Sequence, residues 1–174
     1  VDRALDGVSV KHSYVIGQGP RVVEAMKELL DEGVTHLRVI PQFPQYCEAT
    51  SFSVHDAVNK AIRELHKTPY HGQVTDLTLE WIDWFHNSPA YYETVAEMIF
   101  EGLKENPVEV LLVSNHGLPK IRAFEGDSYF YHCRETFHLV CQTLERLAEE
   151  ENFKLPQLMA AFQSQFGREE WFKP

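Results

Sequence analysis

Short apolar runs of strand length alternate with segments of helical spacing along this chain, and that alternation leaves few ways to fold it. Residues 8–17, VSVKHSYVIG, read as a strand stopped by Gly17, Gly19 and Pro20. Residues 21–33 place Val22, Val23, Met26, Leu29 and Leu30 on one helical face and stop at Gly33. VTHLRVI (34–40) is rich in β-branched residues, ends at Pro41 and reads as a strand. Residues 51–67 carry a helical face of Phe52, Val54, Ala57, Val58, Ala61, Ile62 and Leu65, opened by Ser51 or Ser53 as N-cap. QVTDLTLEWI (73–82) alternates Val74, Leu77 and Leu79 with polar neighbours, as a strand does. Residues 88–106 start a helix with Ser88 as N-cap and Pro89 in the first position. VEVLLV (108–113) has the continuous apolar character of a strand covered on both faces. Residues 129–151 form a long helix with an acidic, solvated end at Glu149, Glu150 and Glu151, and PQLMAAFQS (156–164) is a last strand. Strand and helix taking turns in this way imply right-handed βαβ units and a mostly parallel sheet.

In such sheets ligands sit beyond the carboxyl ends of the strands. His116, Tyr46 and Gln163 fall at or just after predicted strand ends, so one edge is expected to gather them. The strand leading to Ser114, Asn115 and His116 breaks at Gly117, Leu118 and Pro119. A histidine held at a strand end beside a glycine-opened space suits a base or a metal ligand. Gly126 and Asp127 read as a turn, with Asp127 or Ser128 capping the long helix.

Bulk properties narrow the function. Apolar residues make up 44% of the 174, enough for a sizeable core, and length alone allows one domain or parts of two. The formal net charge of -10 argues against nucleic acid and anionic membrane as general partners. No apolar run approaches the ~18 residues of a membrane span. Cys47, Cys133 and Cys141 are widely spaced with no C-x-x-C, which suggests reduced thiols and a cytoplasmic location. The histidines form no H-E-x-x-H or H-x-x-x-H, and neither G-x-G-x-x-G nor a Walker motif occurs. A self-contained zinc hydrolase and nucleotide binding are therefore disfavoured.

Four blocks in order carry a family resemblance: PQFPQYCEAT (41–50), LLVSNHGLP (111–119), EGDSYFYHC (125–133) and AFQSQFGREEWFKP (161–174). Together, in compatible strand and helix contexts, they resemble ferrochelatase, which inserts ferrous iron into a porphyrin. The likeness runs from about Tyr14 to the end. It implies an α/β fold of two similar Rossmann-like (chelatase- or flavodoxin-like) halves with a porphyrin cleft between them. On that likeness residues 1–85 match the end of the first half and 86–174 the first part of the second. Family members are nearly twice this length, so the chain is read as lacking the N-terminal part and the C-terminal segment. The acidic partner of the histidine would lie in the missing segment.

The resemblance assigns His116 as catalytic proton acceptor and metal ligand, and Tyr46, Trp171, Phe43 and Tyr14 as substrate-binding. Iron insertion displaces two pyrrole protons, and an imidazole of ordinary pKa, about 6.5, accepts one near neutrality. The same nitrogen suits Fe2+. PQFPQY (41–46) is otherwise a loop stiffened by Pro41 and Pro44. Trp171 is otherwise a core anchor, although an aromatic face also suits a flat macrocycle. SYVIGQGP (13–20) replaces the family's Arg-Tyr-Gly stretch, leaving Tyr14 as a displaced substitute. Gln165 stands where the family usually has Arg. No resident cofactor is implied: Fe2+ and porphyrin are substrates, and three scattered cysteines do not complete an iron–sulfur cluster. Peripheral membrane contact and a homodimer stay open. Two other readings stand beside iron insertion: a non-catalytic flavodoxin-like fragment, and a chelatase for another divalent metal and tetrapyrrole. The 174 residues by themselves are expected to insert iron at no more than a trace rate.

Overall fold

The structure, a computed structural model, describes residues 7–165 and 167–172. Phe166, Lys173 and Pro174, which belong to the last resemblance block, lie outside the described residues. The chain divides into two compact units, Val1–Gln42 with Glu48–Asp83, and Phe43–Cys47 with Trp84–Pro174.

The first unit begins with helix α1 (Val22–Asp31), whose Val23, Met26, Leu29 and Leu30 turn inward. The Arg21 backbone N–H donates to the Glu24 carboxylate at 2.8 Å, which closes its first turn. Gly33, at φ +81°, ends it in a conformation that a Cβ would strain. Strand β1 (His36–Val39) pairs in parallel with β2 (Thr78–Trp81), in register from His36 opposite Thr78 to Val39 opposite Trp81. Between them lie a π-helical turn (Glu48–Phe52), helix α2 (Ser53–Leu65) and the short helix α3 (His71–Thr75). Val23, Met26 and Leu30 meet Val58, Ala61, Leu65 and Val74 in one core, with Leu37, Val39, Leu79 and Trp81 packed against it.

Three expectations change in this unit. Residues 8–17 form no strand: Tyr14 makes an isolated bridge to Arg21, while Val10 and Ile16 are exposed. Strand propensity reflects fit to a half-buried pleated surface, and among the described residues this run meets none. Val74 is helical, in α3, so the strand starts only at Thr78. Neither Ser51 nor Ser53 caps α2: the chain enters it already helical through the π turn, and the Ser53 hydroxyl donates back to the Thr50 carbonyl.

The second unit contains helix α4 (Pro89–Glu105), strand β3 (Val110–His116), the short helix α5 (Lys120–Phe124), helix α6 (Tyr129–Glu151) and strand β4 (Gln157–Gln163). Ser88 precedes α4 in extended conformation, with Pro89 opening the helix. β3 and β4 pair in parallel, from Val110 opposite Gln157 to His116 opposite Gln163. Ala96 and Phe100 of α4 pack on Val140, Leu144 and Ala148 of α6, and Leu111 and Leu158 of the sheet join them. β3 is therefore covered on one face, not two: Val110 and Leu112 point outward and are exposed. A period of two does not reveal a one-sided strand when the outward residues are also apolar. The strands and flanking helices make this an α/β chain with parallel pairing, as the alternation implied.

Candidate active site

The site is built at the carboxyl end of β3. His116 is the last residue of that strand and stands opposite Gln163, the last residue of β4. The Gly117 N–H donates to the Gln163 carbonyl at 2.6 Å. A Cβ on Gly117 would stand 2.9 Å from both the Gln163 and Ser164 carbonyl oxygens and 3.2 Å from Trp171 Cε3. Glycine is required here by close approach of another backbone. Ser164, at φ +66°, turns the chain away immediately after β4.

The protonation pattern of His116 follows from its partner. Its Nδ1 lies 2.7 Å from the Gly117 carbonyl oxygen. A carbonyl only accepts, so Nδ1 carries the hydrogen and Nε2 holds the lone pair. This is the tautomer a proton acceptor or metal ligand needs. Among the described residues no group of three or more His, Cys, Asp or Glu side chains stands close enough together to hold a metal ion.

The first turns of α6 hold the strand end from behind. The Tyr129 hydroxyl faces the His116 backbone N–H and the Cys133 thiol. Burial pushes the Tyr129 hydroxyl well above its ordinary range, and it pushes the buried Cys133 thiol up to about 12. Neither group ionises near neutrality, so the contact is structural. Phe130 stacks on Phe172 at 4.0 Å and on Phe162 at 5.6 Å between ring centres. The Asp127 carboxylate accepts from the Tyr129 N–H at 2.9 Å, the capping expected of it, while Ser128 makes no side-chain cap.

The other predicted residues are distributed as follows. Trp171 is only 3% exposed and lies against Gly117, bridged through its backbone to Pro119. In this chain it acts as an anchor for the strand end. Tyr46 and Phe43 lie in the segment Phe43–Cys47, which belongs to the same unit as His116. Tyr46 packs edge-on against Trp84, and Phe43 is exposed. Tyr14 belongs to the first unit, is 52% exposed and lies over Gly19.

Sequence reasoning missed a histidine pair. His86 stacks on His132 with ring centres 3.9 Å apart and planes 18° apart. His86 Nε2 is 2.8 Å from Glu135 Oε2, and Tyr46 N–H donates to His132 Nδ1 at 3.2 Å. The only trace of this in the sequence is the His132–Glu135 spacing on one helix, which says nothing of a partner so far away in the chain. His55, stacked 3.7 Å from Trp81 and 2.6 Å from Asp83, was likewise invisible to spacing rules.

Comparison with known proteins gives one consistent result. A family model described as Ferrochelatase matches residues 5–174. The ferrochelatase of Francisella tularensis subsp. novicida (strain U112) is 30% identical over 176 residues, covering 100% of this chain and 49% of the relative. That of Vibrio cholerae serotype O1 is 34% identical over 158 residues, covering 89% of this chain and 44% of the relative. The chain spans about half the length of the curated relatives it matches.

Proposed function

This chain belongs to the ferrochelatase family, and on that premise we propose that the protein inserts Fe2+ into a porphyrin to make heme, with His116 as proton acceptor and ligand for the entering metal. The observation that carries the reading is the fixed tautomer of His116. Its Nδ1 hydrogen is committed to the Gly117 carbonyl, so Nε2 presents a lone pair at the carboxyl end of a parallel strand. Porphyrin and Fe2+ enter as substrates. Two pyrrole N–H bonds break as iron becomes bonded to the four pyrrole nitrogens; His116 Nε2 takes one of the two protons and solvent water takes the other. The Tyr129 hydroxyl, set against the His116 backbone, supports this from behind the strand end. Phe43 and Tyr46 are proposed to line the porphyrin, and their shared segment supports treating them together. Tyr14 is proposed as a further contact from its own unit. Trp171 is proposed to border the macrocycle through the strand end it anchors.

A cytoplasmic location is proposed on the three free cysteines. Among the described residues no helix is long and apolar enough to cross a membrane. Three cysteines fall short of the four thiolates of an ordinary iron–sulfur cluster, so no cluster is proposed.

The test is His116→Ala in the full-length protein, assayed anaerobically with Fe2+, or Zn2+ as surrogate, and a soluble porphyrin by absorbance. Insertion should fall by at least the general-base contribution of about 10²–10⁴-fold, with the circular dichroism spectrum kept. Wild-type turnover in the variant would overturn the assignment. Loss of the folded spectrum would assign His116 to structure instead.

A further inference from the structure

Another pair of histidines lies in the first unit. His66 is the C-cap of α2, and His71 opens α3. Five residues apart, they fall outside the spacings that place side chains together on one helix. The turn between the two helices brings them together instead. His66 Nδ1 stands 3.1 Å from His71 Nδ1, with ring centres 5.0 Å apart and planes at 64°. Both residues are exposed.

The frame that carries them is stiff. Pro69 fixes one φ in the turn. The Thr68 N–H and hydroxyl both donate to the Leu65 carbonyl, at 3.0 and 2.6 Å. The His71 N–H donates to the Thr68 carbonyl at 3.1 Å. Two further bonds tie this end of the unit to α1. The Gln73 amide donates to the Leu30 carbonyl at 3.0 Å, and the Tyr70 hydroxyl to the Asp31 carboxylate at 2.8 Å. The two imidazoles are thus held close together on fixed elements before any ligand arrives.

We propose that His66 and His71 form a surface site for a divalent first-row transition metal of the class imidazole holds, Fe2+, Ni2+, Cu2+ or Zn2+. The two Nδ1 atoms are neighbouring ligands, and water fills the remaining positions. Spacing is the main argument. Imidazole nitrogens on one metal, each about 2.0–2.1 Å from it, stand about 2.9 Å apart at a right angle and about 3.3 Å apart at the tetrahedral angle. The observed 3.1 Å lies between these values. The ring centres agree. With a metal on both lone-pair axes they would stand about 4.8 Å apart at this nitrogen spacing, against about 5.4 Å for nitrogens meeting head-on. The observed 5.0 Å is nearer the first.

The His66 carbonyl decides where the hydrogens sit before a metal arrives. It lies 3.1 Å from His71 Nδ1 and only accepts. His71 therefore carries its hydrogen on Nδ1, shared between that oxygen and the bare Nδ1 of His66. One ligand is ready and the other must change tautomer. As the metal enters, the His71 Nδ1 proton leaves to water and another is taken from water at Nε2. The ring stays neutral, and its exposure lets solvent carry out the exchange. The site shares no residue with that of His116 and does not rest on the porphyrin reading.

The experiment titrates the full-length protein with Cu2+, the tightest binder of the series, by calorimetry and electron paramagnetic resonance. His66→Ala and His71→Ala are the comparisons, and all three proteins keep His116, so metal held there cancels. One Cu2+ equivalent should weaken about 10- to 100-fold or more in either variant, since loss of a ligand costs no less than loss of its outer support. The difference spectrum, wild type less variant, should carry the splitting of two imidazole nitrogens. Zn2+ should displace this equivalent, and Mg2+ in about hundredfold excess should not. Equal affinity in wild type and variants, a difference spectrum with a single nitrogen, or displacement by Mg2+ would each overturn the site and leave the pair as a cap on α2. If neither variant folds, the wild type decides by nuclear magnetic resonance. Substoichiometric Cu2+ should broaden the ring signals of His66 and His71, and unbroadened rings would overturn the site. No turnover is measured, so failure here leaves the role of His116 to its own assay.

Discussion

Gly117 and Trp171 are packed so closely that a single added methyl group on the glycine would stand 3.2 Å from the indole. The same methyl would stand 2.9 Å from two backbone carbonyls at the end of β4. Nothing flexible is available to move aside, since two of the three neighbours are main chain.

Gly117→Ala should therefore destabilise the second unit by about 1–3 kcal/mol, the usual cost of overpacking. The carbonyls of Gln163 and Ser164 would be displaced with it, and they bracket the residue after His116. Urea unfolding monitored by circular dichroism reads the stability, and an unchanged midpoint would mean that the strand ends stand further apart than described.

Trp171→Ala should cost more, about 3–5 kcal/mol, as expected of a large aromatic side chain removed from a buried position. A stacking contact with a porphyrin face would contribute only about 1 kcal/mol. Stability loss should thus dominate any change in porphyrin affinity measured by fluorescence quenching. Weakened porphyrin binding at unchanged stability would show that the indole faces the macrocycle.

Tyr129→Phe removes the one oxygen that faces both the His116 N–H and the Cys133 thiol. The His116 N–H and the Cys133 thiol lose their shared partner. A cost of about 1–3 kcal/mol is expected from the donor left without an acceptor. In the full-length protein kcat for metal insertion should fall while KM for porphyrin holds, because the strand end moves but the segment carrying Tyr46 does not. A variant with unaltered stability and kcat would remove Tyr129 from the support of His116.

Cys133 should resist thiol reagents. Its thiol is raised from 9.0 to about 12, chiefly by burial. At pH 8 the thiolate population is then about a thousandfold below that of an ordinary cysteine. The half-buried Cys141, raised less, should label first with a disulfide reagent, and Cys133 only after unfolding. The raised value favours the neutral thiol, so its contribution to stability holds below the ordinary cysteine range and fades as pH climbs towards 12. Rapid labelling of Cys133 in the folded chain would contradict the burial.

Residues that read correctly from the sequence did so because their signal is local. The helix at 129–151 appears with the same bounds in the structure, since its inward positions repeat at helical spacing without a break. Pro89 opens α4 because its fixed φ suits only a first turn. The strand end at His116 was legible from Gly117 and Pro119. What failed was whatever depends on distant parts of the chain. The run at 8–17 has strand composition but, among the described residues, pairs only through the single bridge of Tyr14 to Arg21. Val74 alternates with Leu77 like a strand residue, yet its burial against Val58 and Leu30 is won from a helix. The stack of His86 on His132 carries no periodic mark at all. Tyr129 stood in plain view in the block at 125–133, but only its geometry shows that the hydroxyl reaches the His116 backbone.

The parallel pairing of β3 with β4 sets the order in which this region can assemble. β3 ends at His116, and the strand that registers it starts only at Gln157, after α5 and the whole of α6 have been made. Closing so long a loop costs entropy before any ladder bond repays it. During synthesis the histidine emerges well before the carbonyl of Gln163 that fixes its neighbour. Until then the Gly117 N–H lacks the carbonyl that fixes the turn after His116. The end of β3 is thus among the later parts of the second unit to acquire a position, and a nascent chain halted before β4 would carry His116 without the strand that stands opposite it.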